Sequence, residues 1–364
     1  MPWPWVKPVF YLVTFACLGY MAFAFFQRSR TWMKGQPKTW PSDWLRGVVS
    51  YVLGQKKVQD SRPKSGAPMH MMIFYGFMSL VLATTLLAVA TYAPLLGIEN
   101  FHKGTYYLVF EASFDILGLL LLIGVCWAAV RRWKFLREQG EQPDDAPEST
   151  AGPLGHDKRD WEALGLLLVL TITGYVLEGA RIASAPTEWD MFSPVGYGFA
   201  QLMGSVSPMA YVVIWWFHMV WVWVFFVRLP HLKLKHAVTA TLTASGKEES
   251  PMGRLVPITM EEVEATGKIG VSEATDYSRW NLLALDACMT CGRCTEVCPA
   301  NGAGKVLNPR KVVADIAGAA ASGESVAEAV SEEALWACTT CHACVEACPV
   351  LIPHVEMIVD ARRG

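Results

Sequence analysis

Charge is what this sequence has least of. Asp, Glu, Lys and Arg make up 18% of its residues, below the roughly 25% of an ordinary globular domain. The 31 basic and 33 acidic residues leave a net charge of −2, which excludes the basic excess that nucleic-acid binding requires. The opening MPWPWVKPVFYLV also lacks the basic start and small-residue cleavage site of a secretory leader, so its apolar run is expected to stay as a helix. What fills the space is hydrophobic: 52% of residues, with 15 Trp, which points to a membrane part.

Apolar stretches of about 20 residues, the length that crosses a bilayer, are expected as helices at about 8–27, 69–93, 105–130, 161–183 and 208–228. Lys and Arg are retained on the cytoplasmic side. The loop after the first span carries Arg28, Arg30, Lys34, Lys38, Arg46, Lys56, Lys57, Arg62 and Lys64; that after the third carries Arg131, Arg132, Lys134 and Arg137; the fifth is followed by Lys233 and Lys235. The loops at 94–104 and 184–207 are nearly free of both. This places the N-terminus outside and everything after the fifth span inside. The expected domains are a five-span membrane domain over 1–236, a polar linker over 237–279 with one short helix at 260–266, and a helical domain over 280–364. In the last, residues 309–334 read as two short helices parted near Gly323. The fold class is therefore all-α: a five-helix transmembrane bundle followed by a helical, ferredoxin-like domain.

Ten cysteines would suggest disulfides in a secreted chain, but eight fall in two identically spaced runs. Cys288-Met-Thr-Cys291-Gly-Arg-Cys294-Thr-Glu-Val-Cys298-Pro and Cys338-Thr-Thr-Cys341-His-Ala-Cys344-Val-Glu-Ala-Cys348-Pro are both C-x2-C-x2-C-x3-C-P. That spacing sets three thiolates around one iron–sulfur cube and sends the fourth to the other cluster. The expected ligand sets are Cys288, Cys291, Cys294 and Cys348 for one [4Fe–4S] cluster, and Cys338, Cys341, Cys344 and Cys298 for the second. The competing reading is structural zinc on paired C-x2-C knuckles. Arg293 and His342 lie between ligands and are expected to tune the clusters, or in the case of Arg293 to meet a partner. Cys17 and Cys126 sit inside apolar spans and read as packing residues.

These runs resemble the helical ferredoxin domain of heterodisulfide reductase, glycerol-3-phosphate dehydrogenase and related quinone-linked iron–sulfur subunits, over about 280–360.

The membrane histidines are few. His218 lies within the fifth span and His236 stands 18 residues on, five turns of a continuous helix and so the same face, ~27 Å away. His70 opens the second span at its cytoplasmic end, level with His236. A haem b between the second and fifth spans is expected to take His70 and His236 as axial ligands, with His231 as an alternative to His236. The membrane part resembles the cytochrome b (gamma) subunit of respiratory nitrate reductase, in which the fifth span carries two haem-ligating histidines at this spacing with a proline between them, as Pro230 stands here. The resemblance implies a second, outer haem on His218. Its other expected ligand, ten residues after His70, is replaced here by Leu80, so one haem b on His70 and His236 is expected, and His218 otherwise reads as a hydrogen-bonded packing residue.

Ionisable groups inside a bilayer are costly and usually functional. The third span begins with Glu111 and Asp115 one turn apart, and the fourth ends with Glu178 and Arg181. With His218, His102 and Lys103 they occupy the outer half of the bundle, where they either bind a quinone head group and exchange its protons or form structural ion pairs. Lys103 enters through the resemblance, near a lysine implicated in quinol binding.

Taken together, the chain resembles the N-terminal part of membrane-bound oxidoreductases of the heterodisulfide reductase or electron-transfer-flavoprotein:menaquinone type. The resemblance implies a bacterial or archaeal cytoplasmic membrane, a menaquinone or other quinone, and electron transfer as a subunit of a quinone-linked oxidoreductase. Such proteins continue into Cys-Cys-Gly domains, of which this sequence has none, so a cytoplasmic redox partner, Cys-Cys-Gly-type or flavoprotein, is expected on another chain. The alternative is a non-catalytic membrane anchor whose iron–sulfur domain only docks a partner, without haem or quinone.

Overall fold

The computed structural model describes residues 6–60, 66–139, 158–247, 253, 255 and 257–364. Most of the polar stretch after the third span and part of the expected linker lie outside them. Five helices are long and apolar enough to cross a membrane: Lys7–Trp32, Ala67–Leu96, Gly104–Lys134, Arg159–Ser184 and Pro208–Arg228. They cover the five stretches expected from hydropathy. The described residues contain no β-strand, only isolated bridges such as Gln36 with Ser278. The chain divides into two compact units, 1–21 with 65–134 and 158–232, and 22–64 with 135–157 and 233–364.

In the first unit the spans meet through small residues, as lipid-embedded helices do when no hydrophobic gain separates helix from lipid contacts. A Cβ at Gly76 would stand 2.8 Å from both Cβ and N of Leu121 on the third span. Gly124 on the third span returns the relation: a Cβ there would stand 2.9 Å from Ile73 Cγ1 and 3.1 Å from Ile73 N. Gly118 admits the Tyr175 hydroxyl, which donates to the Asp115 carbonyl at 2.5 Å. Between the fourth and fifth spans, where sequence suggested only a loop, Pro194–Met203 is helical. It packs on the fourth span at Gly179, whose Cβ would lie 2.6 Å from Phe199 Cβ. Many apolar side chains on the spans face outward, Leu82, Leu87, Val109 and Phe217 among them, as a lipid-facing surface requires.

The second unit is built on one core that includes Tyr277, Leu285, Leu307, Ile316, Ile352 and Ile358, with Cys298 and Cys348 inside it. Helix Pro309–Ser322 starts at Asn308, whose Oδ1 accepts from the N–H groups of Arg310 and Lys311 and from Thr295 Oγ1 at 2.7 Å. One buried side chain thus caps a helix and fastens it to the first cysteine motif. Gly323 ends that helix at φ +84°, a left-handed C-terminal stop that favours glycine. The next helix, Val326–Ala329, opens with a Ser325/Glu328 capping box. The short helix Met260–Thr266 falls where the sequence placed it. The start of the expected linker is instead the helix His236–Ser245, with Thr239, Thr243, Ala244 and Ser245 buried. Its threonines turn their hydroxyls back on the preceding turn, which hides a buried helix behind a polar composition.

Residues 22–64 belong to this unit. Gln36 N–H donates to Tyr277 O at 2.9 Å and Arg279 N–H to Gln36 O at 3.0 Å. Asp286, two residues before the first cysteine, accepts from Arg28 (2.5 and 3.1 Å), Trp32 Nε1 (3.1 Å) and Lys235 (2.6 Å). Gly47 lets the backbone of 44–47 approach the helix at Ala244 so closely that any Cβ would overlap the Ala244 carbonyl.

Candidate functional site

The two cysteine motifs, fifty residues apart, fold alike. Thr290 and Thr340 have φ of +53° and +55°, and Gly292 and His342 have +79° and +61°. These left-handed residues curl each run so that its first three sulfurs face inward. Thr290 N–H and Thr340 N–H each donate to the sulfur two residues back, at 3.4 Å, and Ile352 N–H donates to Cys348 Sγ at 3.4 Å. Cys298 and Cys348 share φ −75°, ψ 116°, extended backbone ahead of a proline, which carries each fourth cysteine away from its own run.

The result is two groups of four. Cys288, Cys291, Cys294 and Cys348 line one void, and Cys298, Cys338, Cys341 and Cys344 line another. Burial raises the Cys348 thiol to about 12, with Cys291 and Cys288 beside it. Burial likewise raises Cys344 to about 12, with Cys338, Cys298 and Cys341 adjacent. Such thiols become ligands only by giving their protons up to a cation. No three Cys, His, Asp or Glu side chains among the described residues stand close enough to hold a single metal ion. Four sulfurs around each void are the donor set that a [4Fe–4S] cube takes. A further observation concerns Arg293, which lines the first void and whose Nη1 is buried without a hydrogen-bond partner. An anionic cluster in that void supplies the acceptor it lacks.

His354 also lines the first void. Burial lowers it to about 4, and its Nδ1 lies 2.9 Å from the Ile352 carbonyl; a carbonyl only accepts, so Nδ1 carries the proton of a neutral ring. Sequence reasoning passed over His354 because it lies outside both motifs.

In the first unit a cavity of about 610 Å³ opens among the spans. Its wall is largely apolar, with Phe77, Leu80, Phe110 and Phe225, and carries His102, Tyr107, Glu111, Glu178, Arg181 and His218. Glu111 accepts from Ser193 Oγ at 2.6 Å and stands 3.6 Å from Arg181, which is also paired with Glu178 at 2.6 Å. Asp115 reaches the same wall, but its two oxygens accept from Val195 N–H (2.7 Å) and Gly196 N–H (3.2 Å). It caps the inserted helix Pro194–Met203. Lys103 is outside the cavity lining; its exposed ammonium pairs with Glu99 at 3.5 Å.

His218 lines this cavity, as does Leu80. Its Nδ1 is 2.8 Å from Thr173 Oγ1, whose own proton goes to the Val169 carbonyl at 2.7 Å. The hydroxyl therefore accepts from Nδ1–H, and the lone pair of His218 is on Nε2. His102 Nδ1 is buried with no hydrogen-bond partner, and its ring meets Phe110 edge-on at 4.5 Å.

The continuous helix on which His218 and His236 share a face is not what forms. The fifth span stops at Arg228, Pro230 sits in a turn, and a new helix starts at His236; proline removes the N–H that would carry the helix through. His70 falls in the first unit and His236 in the second. His236 is buried, which lowers its pKa, and its Nδ1 lies 2.6 Å from the Lys233 carbonyl. That fixes the proton on Nδ1 and the lone pair on Nε2, the arrangement that metal-ligating histidines adopt. His231, the alternative, has Nε2 engaged by the Tyr20 hydroxyl at 3.0 Å.

Comparison with known proteins agrees on the cysteine part. Residues 282–349 match the 4Fe-4S dicluster domain family. The chain is 28% identical over 333 residues to an EtfAB:quinone oxidoreductase of Syntrophomonas wolfei, covering 85% of this chain and 42% of that protein. It is 29% identical over 279 residues to a probable iron-sulfur-binding oxidoreductase of Bacillus subtilis, covering 74% and 36%. It is 42% identical over 129 residues to a probable membrane-anchored ferredoxin of Chromohalobacter salexigens, covering 28% and 19%. The chain thus spans less than half the length of these relatives. No solved structure matches it. The chain is a multi-pass membrane protein with a [4Fe–4S] dicluster domain and an electron-transfer role.

Proposed function

We propose that this chain is the membrane-anchored electron-transfer subunit of a quinone-linked oxidoreductase, relaying electrons between a cytoplasmic partner, two [4Fe–4S] clusters, haem b and a quinone. The observation that carries the reading is the large apolar cavity with a carboxylate, an arginine and a metal-ready histidine converging on its wall. The likeness to an EtfAB:quinone oxidoreductase supports it.

In this reading Cys288, Cys291, Cys294 and Cys348 hold one cluster and Cys338, Cys341, Cys344 and Cys298 the other. His70 and His236 are the proposed ligands of an inner haem b. Bound iron supplies one-electron chemistry at each point. The protein's own groups do the rest. Phe77, Phe110 and Phe225 exclude water from the cavity. Nε2 of His218 accepts a hydrogen bond from a quinol hydroxyl or ligates an outer haem. Glu111, held by Ser193 and Arg181, takes and returns the quinol proton at its carboxylate. Asp115 holds the wall in place by fixing the helix Pro194–Met203, and Lys103 acts at most at the mouth. In this reading the N-terminus lies outside and the cysteine domain in the cytoplasm, which the excess of Lys and Arg in the loops after the first, third and fifth spans supports.

The test is cofactor content. Anaerobically purified full chain is expected to hold about eight cluster irons and eight sulfides, and to give a pyridine haemochrome that is lost in His70→Ala and His236→Ala. A wild-type chain with full iron–sulfur content and no haem overturns the haem relay and leaves the anchor reading in its place.

A further inference from the structure

The two cysteine sites repeat one another in backbone yet differ in charge. The first, of Cys288, Cys291, Cys294 and Cys348, has Arg293 and Arg310 in its wall. Lys233 and Lys235 also stand near enough to act on Cys288. Asp286 is the nearby counter-charge, and it is already shared between Arg28 and Lys235, so the balance around this site is positive. The second site, of Cys298, Cys338, Cys341 and Cys344, is walled otherwise by Leu307, Pro309, Thr339, Val355 and Ile358 and by no charged side chain. Where the first motif has Arg293, the second has Ala343. Glu296 and Glu346 take equivalent exposed places in the two motifs and do not create the difference; Lys57 pairs with Glu346 at 2.8 Å.

We infer that Arg293 and its neighbouring cations make the first site the higher-potential one, so that electrons enter the domain at the second site and come to rest at the first. The inference rests on the crossed ligation proposed above. Reduction adds one negative charge to a cluster, and fixed cations beside a buried site stabilise that charge with little screening. In the step between them, the second site is oxidised by one electron as the first is reduced by one, and no proton moves. Exposure also fits the order: Cys341 is the exposed ligand of the second site and the natural entry for a soluble donor. Its solvent contact raises the potential of that site somewhat, and Arg362 donates to the Cys338 carbonyl at 2.6 Å from outside the wall; that one cation is set against two wall arginines and the nearby Lys233 and Lys235 at the first site. Arg293 acts here as a fixed charge: it lines the first void, and its buried Nη1 has no hydrogen-bond partner among the described residues.

The experiment is a redox titration of the anaerobic full chain followed by electron paramagnetic resonance, with Cys291→Ser and Cys341→Ser assigning the two signals. Wild type is expected to reduce in two one-electron steps, the signal altered by Cys291→Ser appearing first. Arg293→Gln is expected to lower only that step, by about a tenfold fall in the reduced-to-oxidised ratio, which is about 59 mV for one electron. Ala343→Arg, the mirror substitution, is expected to raise only the later step and narrow the gap. Full iron content with the Cys341→Ser signal reducing first, or with Arg293→Gln moving both steps equally, overturns the inference alone. Iron well short of two clusters, or cysteine variants that leave both signals unaltered, overturns the ligation beneath it.

Discussion

Asp286 and Asp115 show how differently two buried carboxylates are used. Burial pushes Asp286 up, yet Arg28 and Lys235 overcome it and hold the group below the usual carboxylate range. Burial also pulls Lys235 down despite Asp286; Arg28 holds both carboxylate oxygens, at 2.5 and 3.1 Å, and Lys235 one. A depressed carboxylate contributes stability that is complete above its unfolded value, about 3.9, and is lost as pH falls through the folded value. The cysteine domain is therefore expected to lose helical circular dichroism more steeply below about pH 4 than Asp286→Asn does. Asp286→Ala, which leaves Arg28 and Lys235 without their shared partner, is expected to cost about 3 kcal/mol in denaturant unfolding. In the membrane part, Asp115→Asn is expected to cost about 1–2 kcal/mol by weakening a helix cap while quinone reactivity survives. Glu111→Gln is expected to keep thermal stability and slow quinone-linked electron transfer by about a hundredfold. Sequence alone gave Glu111 and Asp115 the same role, because they lie one turn apart on one face. What separates them is Ser193 and the N–H groups of Val195 and Gly196, some eighty residues away, which no local pattern reports. The cysteines were legible for the opposite reason: ligand spacing is written within eleven residues.

At the scale of elements, helices with long apolar runs or strong stops were readable. The five spans, the helix Met260–Thr266 and the break at Gly323 all follow from length, hydropathy or turn chemistry. Two helices were not. Pro194–Met203 is ten residues long, half a bilayer crossing, and His236–Ser245 hides behind threonines. The interruption at Pro230 was visible as a residue, but its consequence, that one helix stops at Arg228 and another starts at His236, depended on whether the turn could be carried through without the proline N–H. The reciprocal contacts of Gly76 and Gly124 carry a prediction at this scale. Gly76→Leu and Gly124→Leu each force the second and third spans apart and are expected to lower stability in detergent by about 1–3 kcal/mol, whereas Gly165→Leu, with no atom near its Cβ position, is expected to change it little. Loss of stability in Gly165→Leu alone would contradict the packing described.

At the scale of the whole molecule, the cavity in the membrane unit and the two cysteine sites in the other serve one proposed function, electron transfer between clusters and quinone. The measurement that tests this most directly is reoxidation of the dithionite-reduced full chain by a menaquinone analogue, followed at the iron–sulfur absorbance. Rapid recovery in wild type, slowed in Glu111→Gln with cluster content unchanged, is what the account predicts. Clusters that stay reduced in the wild type while a soluble oxidant restores them at once would contradict it.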